Sequence, residues 1–315
     1  MKMIRHGQGV AQASAAVLTL AALFAAPGPC LAVSLFSHAP PTSEKPAAQS
    51  TKAGALASAI GQALNERRYV DAGALIDQSV AQGVASPEIT RLTGDLFIVR
   101  GRYADALTVF RGLATVPEEK ARALEGEGLA LSLLGRSDEA LGDLKQATAL
   151  DKTLWRAWNG LGAEYDQRHD WKNAEAAYAK ALAAPGADTA IVLNNRGYSR
   201  LLQRQAETAA SDFVAALEKD PSLAEARTNL RLALGMEGHY SRAAMTGVGD
   251  DRATVLNNVG VAAAMRGDYI SADKMLNEAI AAKGQFYGRA AENLQISHEL
   301  AARAQQSATE PDAVP

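Results

Sequence analysis

Small and large apolar residues recur along this chain at a fixed interval of 34 residues. Alanine, glycine and a large apolar residue each form such a series, and the three series keep a constant phase. Their members are Ala72, Ala106, Ala140 and Ala174; Gly94, Gly128 and Gly162; and Ile76, Phe110, Leu144 and Tyr178. Two antiparallel helices of about 14 residues approach closely only where Gly or Ala lies at their crossing and larger side chains fill the space beside it. The pattern therefore predicts consecutive helix pairs and an all-α fold.

Seven units of this kind follow one another, and a last helix would cover the open end of the stack. The predicted units are 53–86, 87–120, 121–154, 155–189, 190–223, 224–252 and 253–286, and the cap is 288–303. The sixth unit is degenerate, because Arg231 replaces the glycine that five of the other units have and the second helix fades into the segment from Met245 to Gly249. The alternative is an ordinary helical bundle with a chance repeat, and seven near-aligned copies argue against it.

The unit resembles the tetratricopeptide repeat (TPR), which places a large residue at position 4 and small residues at positions 8, 20 and 27. In the fourth unit, these positions hold Trp158, Gly162, Ala174 and Ala181. The resemblance implies a superhelical solenoid of about seven antiparallel helix pairs with a C-terminal capping helix. It also implies a protein that holds other proteins.

The composition agrees with this fold and limits the partners. The 315-residue chain is 48% hydrophobic and only 5% aromatic, and its abundant Ala, Leu, Glu and Arg favour helices. A formal net charge of -3 is too small to suggest a phosphate-binding surface. Nucleic acid is therefore not expected as a partner.

The N-terminal segment has the features of an export signal. Lys2 and Arg5 precede an apolar run from Ala13 to Ala26, which is shorter than the roughly 20 residues that a membrane-spanning helix needs. We predict a signal peptide at 1–32 with cleavage after Ala32, and hence an exported protein. Residues 33–52 are predicted to be a flexible linker, and residues 304–315 a disordered tail.

Cys30 is the only cysteine in the chain, so no disulfide can form within it. Its place beside the apolar run raises the alternative that Cys30 is lipidated, as in a bacterial lipoprotein. Pro27 and Pro29 stiffen this region and argue against that alternative. We expect membrane association only if Cys30 is lipidated.

Asparagines recur at the positions that would face the concave groove of such a solenoid. Tyr198, at position 9 of the fifth unit, faces the same way. The candidate peptide-groove residues are Asn159, Asn194, Asn195, Tyr198, Asn229, Asn257 and Asn258. A carboxamide can pair with both the N–H and the C=O of an extended peptide, whatever the peptide's sequence. The alternative is that these asparagines bond only within the stack.

The groove of the N-terminal half is charged. Glu88, Arg91, Asp95, Arg122 and Glu125 occupy its positions in the second and third units. Mixed charges of this kind are typical of a solvated surface. We therefore expect no dedicated site in this half.

No catalytic, cofactor or metal motif is recognisable in the sequence. His38, His169, His239 and His298 are far apart and lack a second ligand at metal spacing, so each is expected at the surface or in a turn. Phosphate loops, nucleophile elbows and paired-cysteine motifs are also missing. We predict that the protein is not an enzyme and needs no cofactor.

Residues 155–287 also resemble the TadD family, the exported TPR proteins of tight-adherence (Flp) pilus assembly. The resemblance lies in Leu193–Tyr198, in Asn229–Gly235 with Gly238 closing that helix, and in the curtailed second helix that follows. It implies a periplasmic or outer-membrane-associated accessory, without enzymatic activity, that helps the secretin channel or other pilus components assemble. The prolines around Cys30 depart from the family's lipobox. The alternative function is a periplasmic TPR adaptor of another envelope process, such as polysaccharide export or cell-wall synthesis.

Overall fold

The computed structural model describes residues 52–246, 251–283 and 287–309. The predicted signal peptide, Cys30, nearly all of the predicted linker and the last residues of the predicted tail lie outside these ranges. Within the described residues, the Cα positions form two compact units, and the chain passes from one to the other between Ser199 and Arg200.

The first unit consists of helices that alternate between the first and the second member of a pair. They are Lys52–Asn65 (α1), Tyr69–Ala81 (α2), Pro87–Val99 (α3), Tyr103–Leu113 (α4), Lys120–Leu133 (α5), Ser137–Leu150 (α6), Trp155–Gln167 (α7), Trp171–Ala183 (α8) and Thr189–Leu202 (α9), of which α9 ends in the second unit. We call α1, α3, α5, α7 and α9 first helices, and α2, α4, α6 and α8 second helices.

The second unit continues the same alternation, with α11 and α13 as first helices. Its helices are Ala206–Lys219 (α10), Ala224–Met236 (α11), Tyr240–Met245 (α12), Arg252–Arg266 (α13), Tyr269–Ala282 (α14) and Gly288–Thr309 (α15). The last helix packs on α13 and α14. It extends beyond the predicted cap at 288–303 and includes part of the segment predicted to be a disordered tail.

The paired helices meet where the sequence predicted a glycine beside a large apolar residue. A Cβ atom added to Gly94 would lie 2.6 Å from the ring of Phe110, and one added to Gly162 would lie 2.5 Å from the ring of Tyr178. Both rings are buried. The absence of a Cβ therefore lets each large side chain lie across the backbone of the facing helix.

The turn inside each pair uses one backbone conformation. The residue at position 15 of the unit has a positive φ, between 56° and 88°, in all seven units. Glycine occupies four of these turns and an L-residue with a Cβ occupies three. They are Gly101, Gly135, Gly238 and Gly267, and Arg67, His169 and Arg204. His169 is thus a turn residue, as expected from the sequence.

Several helices begin at a residue whose side chain caps them. Ser86 Oγ accepts a hydrogen bond from the N–H of Ile89 at 3.2 Å, and Pro87 occupies the first turn of α3. Asp170 and Asp251 cap α8 and α13 in the same way. Each cap provides an acceptor for an otherwise unbonded N–H group at the helix start.

The predicted all-α class, with about seven helix pairs and a terminal helix, is confirmed. Strands are missing throughout the part of the chain that the structure describes. In that same part, no helix combines the length and the apolar character needed to cross a membrane.

Candidate functional site

Three of the predicted groove asparagines form one cluster in the first unit. Asn195 on α9 donates from Nδ2 to Oδ1 of Asn159 on α7 at 3.1 Å. Asn194 donates from Nδ2 to Oδ1 of Asn195 at 3.3 Å. All three residues are buried, while Tyr198, one turn further along α9, is half-buried. The carboxamides thus link two successive first helices.

A cluster of the same design lies in the second unit. Asn293 on α15 donates from Nδ2 to Oδ1 of Asn257 on α13 at 2.9 Å, and Asn257 donates from Nδ2 to Oδ1 of Asn258 at 3.2 Å. These residues are buried as well. Asn293 was not predicted from the sequence, although it follows Asn257 by the same 36 residues that separate Asn195 from Asn159.

These hydrogen bonds join neighbouring helices of the stack. They are the bonds within the stack that the alternative interpretation expected. Asn229 lies half-buried on α11. Peptide binding by the asparagines stays a prediction, because no partner is present to test it.

A charged cluster spans three first helices in the first unit. Arg156 on α7 donates from Nη2 to Oδ1 of Asp95 on α3 at 3.0 Å. Glu125 on α5 accepts from the backbone N–H of Ala157 at 3.0 Å. Only 2% of Asp95, 7% of Glu125 and 8% of Arg156 is exposed. The expectation of a solvated surface was wrong here, because positions 9, 5 and 2 of three successive units lie on one diagonal across the first helices.

Burial and charge pairing set the protonation of this cluster. Burial raises the pKa of Glu125, and the nearby Arg156 only partly opposes this shift. Burial also works against the charge of Arg156, but Asp95 and Glu125 outweigh it and raise the pKa of the guanidinium. Arg156 is therefore a permanent buried cation that needs its acidic neighbours.

The buried polar atoms without a hydrogen-bond partner on the first helices of the first unit include two donors, Nε of Arg91 and Nδ2 of Asn159, and one acceptor, Oδ1 of Asn65. Nε of Arg91 lies 3.8 Å from Oε2 of Glu119, which is also buried and unbonded. Arg91 lies close to the charged cluster, with Nη1 3.4 Å from Oδ2 of Asp95. The first helices thus carry more donor capacity than the fold itself uses.

Two further buried carboxylates join neighbouring helices. Glu164 on α7 accepts from Ser132 Oγ at 2.5 Å and also from Ser137 Oγ. Asp166 accepts from the hydroxyl of Tyr178 at 2.8 Å and from Ser199 Oγ at 2.6 Å, and burial raises its pKa to about 6. Glu164 also accepts from Nη1 of Arg168 at 3.0 Å. Both carboxylates are thus bonded by side chains of their own protein, which suits a structural role.

The described residues contain no group of three or more His, Cys, Asp or Glu side chains placed to hold a metal ion. The predicted histidines are accordingly dispersed. His239 begins the turn before α12, and His298 on α15 lies 2.5 Å from Asp273 Oδ1 at an exposed position.

Comparison with known proteins identifies the fold. No family model matches the chain. The heat-shock protein cognate (HSC) co-chaperone sgt12 of Aspergillus fumigatus is 28% identical over 121 residues, which are 36% of this chain and 36% of the co-chaperone. The chain thus matches only about a third of that relative's length.

Solved structures agree on a TPR architecture. The match to the APC/C hetero-tetramer Cut9–Hcn1 covers 80% of this chain and 50% of the matched chain, with 17% identity and a TM-score of 0.54. The match to a thermophilic TPR protein of Thermus thermophilus, TTC0263, covers 58% of this chain and 98% of that protein, with 20% identity and a TM-score of 0.52. The match to Pseudomonas aeruginosa pilF covers 69% of this chain and 97% of that protein, with 16% identity and a TM-score of 0.51. At these identities the similarity shows the fold, and the chain has the TPR fold.

Proposed function

We propose that this chain is a non-enzymatic scaffold that binds an extended segment of a partner protein along its first helices. The TPR fold supports a role in protein–protein interaction. The observation that carries the proposal is the buried, unbonded donor on α7, Nδ2 of Asn159. A buried donor without a partner costs about 1–3 kcal/mol. A carbonyl group of an extended peptide would supply the missing acceptor.

The asparagine clusters extend this surface in each unit. A carboxamide offers two N–H donors and one oxygen acceptor, so such a cluster can bond both the N–H and the C=O groups of a peptide. Oδ1 of Asn293 is also buried and unbonded, which adds an acceptor for a peptide N–H in the second unit. Donors and acceptors are thus both available for a peptide backbone.

The experiment is affinity capture from an envelope extract of the source cell. We compare the wild type with the variant in which Asn194, Asn195, Asn257 and Asn258 are changed to Ala. The matched control changes two exposed asparagines on second helices, Asn173 and Asn277, to Ala. We expect the control to retain the captured partner. The groove variant should lose it while circular dichroism shows that it remains helical, although the loss of the buried bonds to Asn159 and Asn293 lowers its unfolding temperature. A groove variant that unfolds would mean that these residues only support the stack.

We propose further that the protein works in the periplasm, associated with assembly of the Tad/Flp pilus machinery. The N-terminal signal from Lys2 to Ala32 supports export, and the irregular sixth unit with its Asn-Leu helix supports the pilus role. A secretin or another pilus component is then the expected partner.

Two measurements test this placement. Mass spectrometry of the mature protein should find an N-terminus at Val33, and a diacylglyceryl group on Cys30 would instead indicate a lipoprotein. The gene neighbourhood should contain a secretin and a secretion ATPase. Neighbours of polysaccharide export or cell-wall synthesis would contradict the pilus role.

A further inference from the structure

The second unit contains a helix that is too short to complete its pair. Helix α12 has 6 residues, whereas the other second helices have 11 to 14. At 1.5 Å per residue, the difference corresponds to about 8 to 12 Å of missing helix. The pair that α11 begins is therefore covered along only part of its length.

Arg231 binds the end of α12. It occupies position 8 of the sixth unit, where five of the other six units have glycine and the first has Ile60, and it is buried. Its Nε donates to the backbone carbonyl of Thr246 at 2.8 Å, directly after the end of α12. This bond supplies a donor for one of the carbonyl groups that a helix end leaves unbonded.

The missing helical turns leave an open groove of about 1050 Å³ between α10, α11 and α12, which we call the α12 groove. Its apolar lining comes from all three helices. Leu230 and Leu234 on α11 lie in its base and are buried. Val214 on α10 and Met245 on α12 line it with 45% and 82% of their surfaces exposed. These side chains offer apolar contact area that the described residues leave uncovered.

A smaller recess of about 320 Å³ lies on the other side of the short helix, between α12, α13 and α14. Ala244, Val255 and Met275 contribute to its lining. Both openings therefore border the same six-residue helix. The two openings thus flank the shortest second helix of the described residues.

The rim of the α12 groove carries an excess of acidic groups. Glu207 and Glu218 lie on α10 and Glu237 directly follows α11, against the cationic Arg242 and against His239, whose Nε2 lies 3.5 Å from Oε2 of Glu237. Oε1 of Glu237 is buried without a hydrogen-bond partner, so it can accept a bond from an incoming donor. Such a rim favours lysine or arginine on a partner.

We propose that the α12 groove binds a short amphipathic helix of a partner protein, with small apolar residues on one face and basic residues on its flanks. The partner helix takes the place of the missing turns of the second helix. Its apolar face contacts Val214 and Leu234, and its basic flanks face the glutamates of the rim. This surface is separate from the polar clusters on the first helices and would serve a second partner segment.

The experiment measures fluorescence anisotropy with two labelled peptides of about 14 residues, the length of the longest second helices. The probe has Ala and Leu on one helical face and Lys on both flanks. The control peptide has the same composition in scrambled order. We expect the full chain to bind the probe at least about tenfold more tightly than the scrambled peptide.

Variants of the protein locate the binding. Val214→Glu should weaken probe binding at least about tenfold, because it places a carboxylate on the apolar floor. Ile270→Glu is the matched control, since Ile270 on α14 is 87% exposed and lies outside the groove. It should bind as the wild type does. Val214→Ser is the second variant in case Val214→Glu does not fold, and it should weaken binding in the same direction.

Three results would overturn the proposal. The first is equal binding of the probe and the scrambled peptide, and the second is equal binding by the wild type and both Val214 variants. The third is a dimer in light scattering that Val214→Glu dissociates, because a second copy of the chain would then occupy the groove. None of these results depends on the asparagine variants, so failure here is distinct from failure of the proposed function.

Discussion

Changing Gly162 to Ala tests whether the paired helices are held by a close approach of Tyr178 to the helix backbone. The new Cβ would lie 2.5 Å from Cε1 and 2.6 Å from Cζ of the tyrosine ring. Tyr178 cannot move away easily, because it is buried and its hydroxyl donates to Asp166. Forcing an extra carbon into such a site costs about 1–3 kcal/mol.

A second effect of this substitution opposes the first. Alanine is better than glycine in a helix interior by about 1 kcal/mol. We therefore expect Gly162→Ala to lower the free energy of unfolding by up to about 2 kcal/mol. Gly142→Ala on α6 is the matched control, because a Cβ at Gly142 meets no atom within 4 Å. This control should gain up to about 1 kcal/mol from helix propensity alone.

Urea unfolding, followed by circular dichroism, measures both variants against the wild type. Gly162→Ala and Gly142→Ala should shift the unfolding midpoint in opposite directions. Equal stability of the two variants would refute the close approach as a source of specificity, since the ring of Tyr178 would then move aside at no cost.

Three other substitutions test the positive-φ turn at Arg67, the buried ion pair of Asp95 and Arg156, and the raised pKa of Asp166. Arg67→Gly should raise the free energy of unfolding by up to about 1 kcal/mol, because Arg67 has a φ of 57° in its turn, and a lower urea midpoint would contradict this. Asp95→Ala should lower the free energy of unfolding by about 3–5 kcal/mol, because it removes the carboxylate that accepts a hydrogen bond from Arg156. The double variant Asp95→Leu/Arg156→Met should recover most of this loss in the same urea titration. Burial raises the pKa of Asp166 from 3.8 to about 6, so its stabilising contribution is complete below about pH 4 and lost as the pH rises through 6. From about pH 3 to about pH 7 the stability of the wild type relative to Asp166→Asn should fall by about 3 kcal/mol, and a constant difference across pH would rule out the raised pKa.

The helix pairs could be predicted from the sequence because their cause is local and periodic. Gly94, Gly128 and Gly162 face Phe110, Leu144 and Tyr178 within one unit, so a single interval contains both contact partners. The same interval explains why His169 could be assigned to a turn.

The polar clusters could be predicted only in part, because their members come from different units. Asp95 and Arg156 are 61 residues apart, and their ion pair depends on how three first helices align. Asn293 lies beyond the last repeat, in a helix that the pattern identified only as a cap. The sequence predicted that the sixth unit is degenerate, but the bond from Arg231 to Thr246 could not be predicted, because it depends on how the two helices pack.

The common backbone conformation of the seven turns has a consequence for how such a chain can change in length. Since glycine, arginine and histidine all adopt it at the same position, the reversal of the chain does not depend on one residue type. Duplication or loss of one complete period would join two identical reversals and leave the remaining pairs in register. The protein can therefore lengthen or shorten by whole periods, whereas an insertion of a few residues would have to be absorbed between pairs.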